Sequence, residues 1–199
     1  MIKGNKLAGK AQELIGSLLK PLPITPNGMT VASVLIAFCG LYFFMNANYW
    51  IAIGLYALAL LVDGLDGALA RAKNMVSARG AFLDGIADRF VEFAMLIGFI
   101  GAGMPAVVLP AVYWIVGMLF FGTCMTSFVK AYADHRGALP HEEAVGMGGI
   151  FERAERVVLL MGVAVMIGLG SLQIASYMLV AGALLAIITV LQRFWAVVS

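Results

Sequence analysis

Three stretches of this chain, residues 21–62, 93–129 and 157–192, contain no Asp, Glu, Lys or Arg. Each is too long for one membrane-crossing helix, which takes about 20 apolar residues, and right for two. Turn formers lie near the middle of each stretch: Asn46 to Tyr49, Gly101 to Pro105, and Gly168 to Ser171. The pattern predicts three helical hairpins. The expected fold class is therefore all-α integral membrane, with six transmembrane helices near 27–45, 50–72, 80–100, 106–132, 151–168 and 173–195. Composition excludes the alternative of a water-soluble domain. The 199 residues are 62% apolar and 12% charged, about half the charge that a soluble surface of this size carries. Cys39 and Cys124, two thiols in apolar runs, exclude a disulfide scaffold and read as small core residues.

All thirteen Lys and Arg fall on one side of the predicted bundle, and the three opposite turns have none. The positive-inside rule makes the charged face cytoplasmic, and an even helix count returns both termini to it. The expectation is a multi-pass protein of the cell membrane. The N-terminus does not read as a secretory signal, because Lys10, Glu13 and Lys20 interrupt the apolar run. Leu7, Ala11, Leu14, Ile15 and Leu18 follow helical spacing, while Lys3, Lys6, Lys10 and Glu13 share another face. Residues 1–20 are thus expected to form an interfacial amphipathic helix ahead of a membrane domain at 21–199.

An ionisable residue in a membrane helix costs about 2.5 to 3.5 kcal/mol at the bilayer centre and by default marks function. Asp63 and Asp66 lie three apart at the end of the second predicted helix, and Asp84 and Asp88 four apart at the start of the third. Each pair projects from one helix face, so four carboxylates are expected to converge across one hairpin. Asp63 precedes Arg71 by eight residues, roughly 12 Å of helix rise, which puts the acids below the charged face without reaching mid-membrane. Four like charges need cations to hold them together. All-oxygen ligation without nearby His or Cys points to two Mg²⁺ or Mn²⁺ ions, with a phosphorylated ligand completing the shell. Gly64, Gly67, Gly80 and Gly85 leave room beside the acids for a ligand or for the neighbouring helix.

Asp63, two residues, Asp66, Gly67, two residues, Ala70, Arg71, eight residues, Gly80, three residues, Asp84, three residues, Asp88: this order resembles the complete signature of the CDP-alcohol phosphotransferases. The six-helix layout is similar to that family over nearly the whole chain. The resemblance implies a metal-dependent transferase of phospholipid biosynthesis that joins an alcohol to the lipid phosphate of a CDP-lipid (CDP-diacylglycerol or CDP-archaeol) while CMP leaves. It implies that Asp63, Asp66 and Asp84 hold metal. Asp88 would be the general base and also touch the second ion. Arg71 and Ser77 would contact the nucleotide, Gly67 would give it close approach, and Thr25, Pro26 and Asn27 would form a second nucleotide-contacting element. Thr25, Pro26 and Asn27 have an ordinary capping explanation as well. A homodimer is implied too, and no nucleic-acid partner.

Lys130, Arg153, Arg156 and Arg193 arrive at the same face from three sequence-distant helices, where they serve as positive-inside anchors or as a pocket for an anionic acceptor. The segments 127–131 (SFVKA) and 148–156 (GGIFERAER), with Gln192 and Arg193, resemble the branch of the family that makes phosphatidylinositol phosphate or archaetidylinositol phosphate. By that resemblance Lys130, Arg153 and Arg193 bind the phosphate of inositol 1-phosphate, a phosphorylated polyol. Tyr132 stands where that branch has Arg. For Arg156, a pairing with Glu152 or Glu155 is the alternative to a place in that pocket. Glycerol 3-phosphate or serine as acceptor, and CDP-inositol as donor, are the rival chemistries. An ion or proton transporter is the rival outside enzymes.

Overall fold

Thr25 starts the first described membrane helix, its side chain accepting a hydrogen bond from the Gly28 N–H at 3.1 Å with Pro26 at the first helical position. The fold is a computed structural model in which residues 16, 18–21 and 23–199 are described. Helix α1 spans Pro26–Met45 and ends at Asn46, followed by Ala47 at φ +57°. Helix α2, Tyr49–Ala72, and α3, Ala78–Ile100, complete an N-terminal trio. Ser77 caps α3 by accepting from the Gly80 N–H at 3.1 Å. Helix α4 runs over Ala111–His135 with a π-helical stretch at Met118–Met125. The short α5, His141–Gly146, then leads to α6, Arg153–Gly168, and α7, Leu172–Val198.

Helix α1 packs on α2 and α3, while α6 and α7 pack on each other and α7 also on the π-helical part of α4; α2 and α6 join the two halves. Tyr56 marks the tightest seam of the first half. A Cβ on Gly40 would lie 2.8 Å from its ring and one on Gly98 3.0 Å from its hydroxyl, so only glycine lets α1 and α3 approach it. The Tyr56 hydroxyl donates to the Ala94 carbonyl at 3.2 Å. The main core continues from Phe44, Tyr56 and Phe99 into Leu160, Ile167 and Leu179 of the other half.

The described residues hold no β-strand, only an isolated bridge between Val107 and Leu109. Among the described residues four helices, α1, α2, α4 and α7, are long and apolar enough to cross a bilayer, so the described chain is that of an all-helical, multi-pass membrane protein. Helix α3 has the length but carries Arg79, Asp84, Asp88, Arg89 and Glu92, and α6 has only 16 residues.

Several expectations are corrected. The fourth helix starts at Ala111, five residues later than expected, because Pro105 and Pro110 bracket an irregular loop. That loop is tied down where the Trp114 indole donates to the Val107 carbonyl at 2.9 Å and the Ser176 hydroxyl to the Pro105 carbonyl at 2.8 Å. The segment 137–149, between the fourth and fifth expected spans, contains α5. Both cysteines are exposed, since in a membrane fold a small apolar residue sits as readily on the outer helix surface as in the core. Most of the expected interfacial helix, residues 1–15 and 17, lies outside the described residues. Gly16 is buried against α2, where a Cβ would meet the Ala68 carbonyl at 2.7 Å.

Candidate active site

Helical spacing puts Asp63 and Asp66 on the inward face of α2 and Asp84 on the facing side of α3. Carboxylate oxygens of these three lie within 4.8 Å of one another. Asp63 and Asp66 are buried and Asp84 is half-buried. Thr30 of α1 hydrogen-bonds Asp66 Oδ2, so three helices meet at this carboxylate. Asp63 Oδ1 is buried without a hydrogen-bond partner. Oxygens gathered this closely, one of them orphaned, with no His or Cys in the group, fit a hard divalent cation.

Asp88 lies just outside this group of three and is tied to Asp63 through Arg153. Its Oδ1 lies 2.5 Å from Arg153 Nη2 and its Oδ2 3.4 Å from Arg89 Nη1. Arg153, at the first turn of α6, also donates from Nη2 to Asp63 Oδ2 at 2.7 Å. Cationic side chains thus hold the fourth acid one turn along α3. Arg153 lies among the aspartates as well as beside the basic cluster.

Below this layer, Glu92 continues the spacing of Asp84 and Asp88 along α3. Arg156 donates to it twice, Nε to Oε2 at 2.6 Å and Nη2 to Oε1 at 2.9 Å, and Thr123 donates to Oε2 at 2.9 Å. Arg156 therefore pairs with Glu92 across the bundle, and neither Glu152 nor Glu155 takes it. Glu152 is engaged by Arg193, and Glu155 sits on the exposed side of α6. The π-helical stretch shapes this corner: a Cβ on Gly122 would meet Arg156 Cδ at 3.1 Å. Such stretches often occur at functional sites.

Two cavities flank the acids. The first, about 170 Å³, is lined by Pro26, Asn27, Asp66, Gly67, Arg71, Ser77 and Asp84 among others. It gathers the starts of α1 and α3 against the end of α2, where Lys73 Nζ donates to the Ile24 carbonyl at 2.7 Å. Gly67 opens onto it, since a Cβ there would reach only Arg71 Nη1, at 3.5 Å. Thr25 does not line it and is used as the α1 cap. The second cavity, about 440 Å³, is lined by Arg89, Lys130, Glu152, Arg153, Arg156 and Arg193 among others.

Arg193 is almost fully buried. Its Nη2 binds both Glu152 oxygens at 2.5 and 2.6 Å and its Nη1 donates to the Thr126 carbonyl. Lys130 is looser, with Nζ 3.5 Å from the Val145 carbonyl. The structure thus brings Pro26, Asn27, Gly67, Arg71 and Ser77 to one side of the aspartates, and Lys130, Arg153 and Arg193 to the other. Two lining or supporting residues escape the sequence reading. Glu92 carries a signal, the four-residue rhythm Asp84, Asp88, Glu92. Arg89, which hydrogen-bonds Ser127 and the Gly85 carbonyl, carries none beyond its place beside Asp88.

Residues 23–191 match the CDP-alcohol phosphatidyltransferase family. The archaetidylinositol phosphate synthase of Pyrococcus horikoshii is 35% identical over 148 residues, covering 74% of this chain and 73% of that protein. Among solved structures, the Mycobacterium tuberculosis phosphatidylinositol phosphate synthase in complex with manganese and citrate superposes with a TM-score of 0.72 at 26% identity, covering 94% of this chain and 88% of that one. The same enzyme with CDP-DAG bound gives the same score and identity and covers 94% of both chains. With the motif, the fold and these relatives in agreement, the chain belongs to the CDP-alcohol phosphatidyltransferase family.

Proposed function

We propose that this protein transfers the phospholipid moiety of a CDP-lipid to the hydroxyl of an inositol phosphate, releasing CMP. The observation that carries the reading is the placement of the aspartates between two cavities of different chemistry. The first offers the N-terminal end of α3, a ready anion site, with Arg71 and the open approach at Gly67. It suits the diphosphate and cytidine of the donor, with Asn27 and Ser77 as polar contacts and Pro26 shaping the wall. Thr25 acts at one remove by fixing the start of α1. The second offers Lys130 and Arg153 to the phosphate of the acceptor. Arg193 reaches that phosphate only by giving up Glu152.

Asp63, Asp66 and Asp84 would hold the divalent cation, Mg²⁺ or Mn²⁺, with Asp88 at a second ion. Bound there, such ions neutralise the diphosphate and stabilise the charge that develops on departing CMP. Asp88 would take the proton from the acceptor hydroxyl as its oxygen attacks the lipid phosphate. It stands on the side of the cluster nearest the basic cavity. The new oxygen–phosphorus bond forms as the bond to CMP breaks.

The topology that fits this chemistry has six spans, α1 to α4, α6 and α7, with both termini and the site on the cytoplasmic side. By the sequence pattern, all thirteen Lys and Arg are expected toward that face. A lipid donor would keep its tails in the bilayer and its diphosphate at the aspartates. The chain is expected to work as a homodimer.

Purified protein in nanodiscs, given one CDP-lipid and Mn²⁺, tests the function. Inositol 1-phosphate should be converted to a phospholipid with one CMP released per product. Conversion of glycerol 3-phosphate or serine in its place would overturn the acceptor, and solute flux without CMP release would overturn the transferase.

A further inference from the structure

Among the described residues, three buried side-chain atoms lack a hydrogen-bond partner: Asp63 Oδ1, Asp88 Oδ1 and Arg153 Nε. All three belong to one cluster. Arg153 spends a single nitrogen, Nη2, on both aspartates, lying 2.5 Å from Asp88 Oδ1 without hydrogen-bond alignment. Its Nε is left 3.9 Å from Glu92 Oε1, about 1 Å too far for a hydrogen bond. Glu92 is a prepared acceptor. It is 1% exposed, anchored by Arg156 and Thr123, and its Oε1 has a second lone pair beyond the one that Arg156 uses.

This cluster cannot keep the same partners once the aspartates hold a divalent cation. A guanidinium 2.5 to 2.7 Å from two such carboxylates would share them with a like charge in a poorly hydrated site. Glu92 is the neighbouring carboxylate outside the proposed ligand set. We infer that Glu92 is a positioning residue for Arg153: as the aspartates take up their cation, Arg153 leaves Asp63 and Asp88, closes Nε onto Glu92, and presents its Nη fork to the acceptor phosphate. Arg153 then serves as counter-ion of the empty acidic site and as phosphate ligand of the loaded one. Arg156 stays fixed as the anchor of Glu92. The exchange makes acceptor binding follow metal binding. It rests on the proposed metal and acceptor sites.

The test measures Mn²⁺ affinity by the paramagnetic resonance of free Mn²⁺, on the full chain in nanodiscs without donor or acceptor. Arg153 competes with the ion, so Arg153→Ala should bind Mn²⁺ roughly tenfold more tightly, the expected consequence of removing a competing conformation. Glu92→Gln keeps a hydrogen bond to Thr123 but strands Arg153 on the aspartates, and should bind Mn²⁺ severalfold more weakly. Glu92→Asp retains the charge but retracts it, and should shift affinity in the same direction. In the Arg153→Ala background both Glu92 substitutions should have no effect.

Equal Mn²⁺ affinity of wild type and Arg153→Ala would overturn the exchange while leaving the metal site standing. A Glu92 effect of the same size with and without Arg153 would show that Glu92 acts by its field alone, and would overturn its positioning role. No Mn²⁺ binding by any variant would overturn the metal reading on which the inference rests. Arg153 is part-exposed at the end of a helix, so the Arg153→Ala comparison decides the exchange even if a Glu92 variant fails to fold.

Discussion

Asp66 and Asp88 come from the same short motif and meet different neighbours. Thr30 holds Asp66 from α1, whereas Arg153 and Arg89 hold Asp88 beside the basic cavity. That difference fits the proposed roles, cation binding for Asp66 and proton transfer for Asp88. Asp88→Asn should therefore lower CMP release by about 10²- to 10⁴-fold, the usual contribution of a positioned base, while binding of CDP-lipid is retained. Turnover near wild type would remove Asp88 as base, and lost donor binding would point to a part in holding the nucleotide. The aspartates are legible in the sequence because their spacings of three and four are helical and short-range. Arg153 among them is not legible, because its position depends on α6 packing against α2 and α3 from ninety residues away. Glu92 is within reach of the same spacing rule. It sits at the border of a charge-free stretch, where the eye sees the apolar run that follows.

At the scale of elements, the acids meet because α1, α2 and α3 approach closely, and Tyr56 with its two flanking glycines sets that distance. Gly40→Ala would place a methyl 2.8 Å from the Tyr56 ring. The ring is fully buried, so the substitution should cost about 1 to 3 kcal/mol as overpacking. Gly54, in the same α2 helix as Tyr56, has nothing within 4 Å of the place a methyl would take. Gly54→Ala should be neutral or raise stability by up to about 1 kcal/mol through helix propensity. Thermal unfolding of both variants in one detergent checks the contrast, and an equal effect would show that the seam is not the constraint.

The helices themselves are largely readable, since charge-free runs and turn formers mark them. The π-helical stretch of α4 is not, because no residue type encodes an extra residue per turn. Its register follows from fitting Gly122 beside Arg156 and Thr123 beside Glu92. Helix α6 shows the same division. Its 16 residues rise about 24 Å, less than the roughly 30 Å hydrocarbon core. The shortness lets the α6 N-terminus begin at the depth of the acids and bring Arg153 to them.

Over the whole molecule, the thirteen basic and eleven acidic residues nearly cancel, and the net charge of +2 hides how the basic residues gather on one predicted side of the charge-free stretches. That segregation does two jobs at once. In the proposed topology the cations near helix ends orient the chain by the positive-inside rule, and those that reach inward supply the counter-charges that let carboxylates sit below the membrane surface. Orientation and chemistry therefore stand or fall together: if the basic end faced outward, the donor diphosphate and the soluble acceptor would have to meet on the other side. Replacing Cys39 and Cys124 with Ala and adding one reporter thiol tests this. Ala106, in the turn between α3 and α4, and Ala138, between α4 and α5, are both exposed and lie at opposite ends of α4. A membrane-impermeant maleimide added to intact cells should label Ala106→Cys, and should label Ala138→Cys only after the membrane is opened. The reverse pattern would place the aspartates on the outer side and overturn the proposed topology, because no rearrangement of loops can move a cluster tied to four helices across the bilayer.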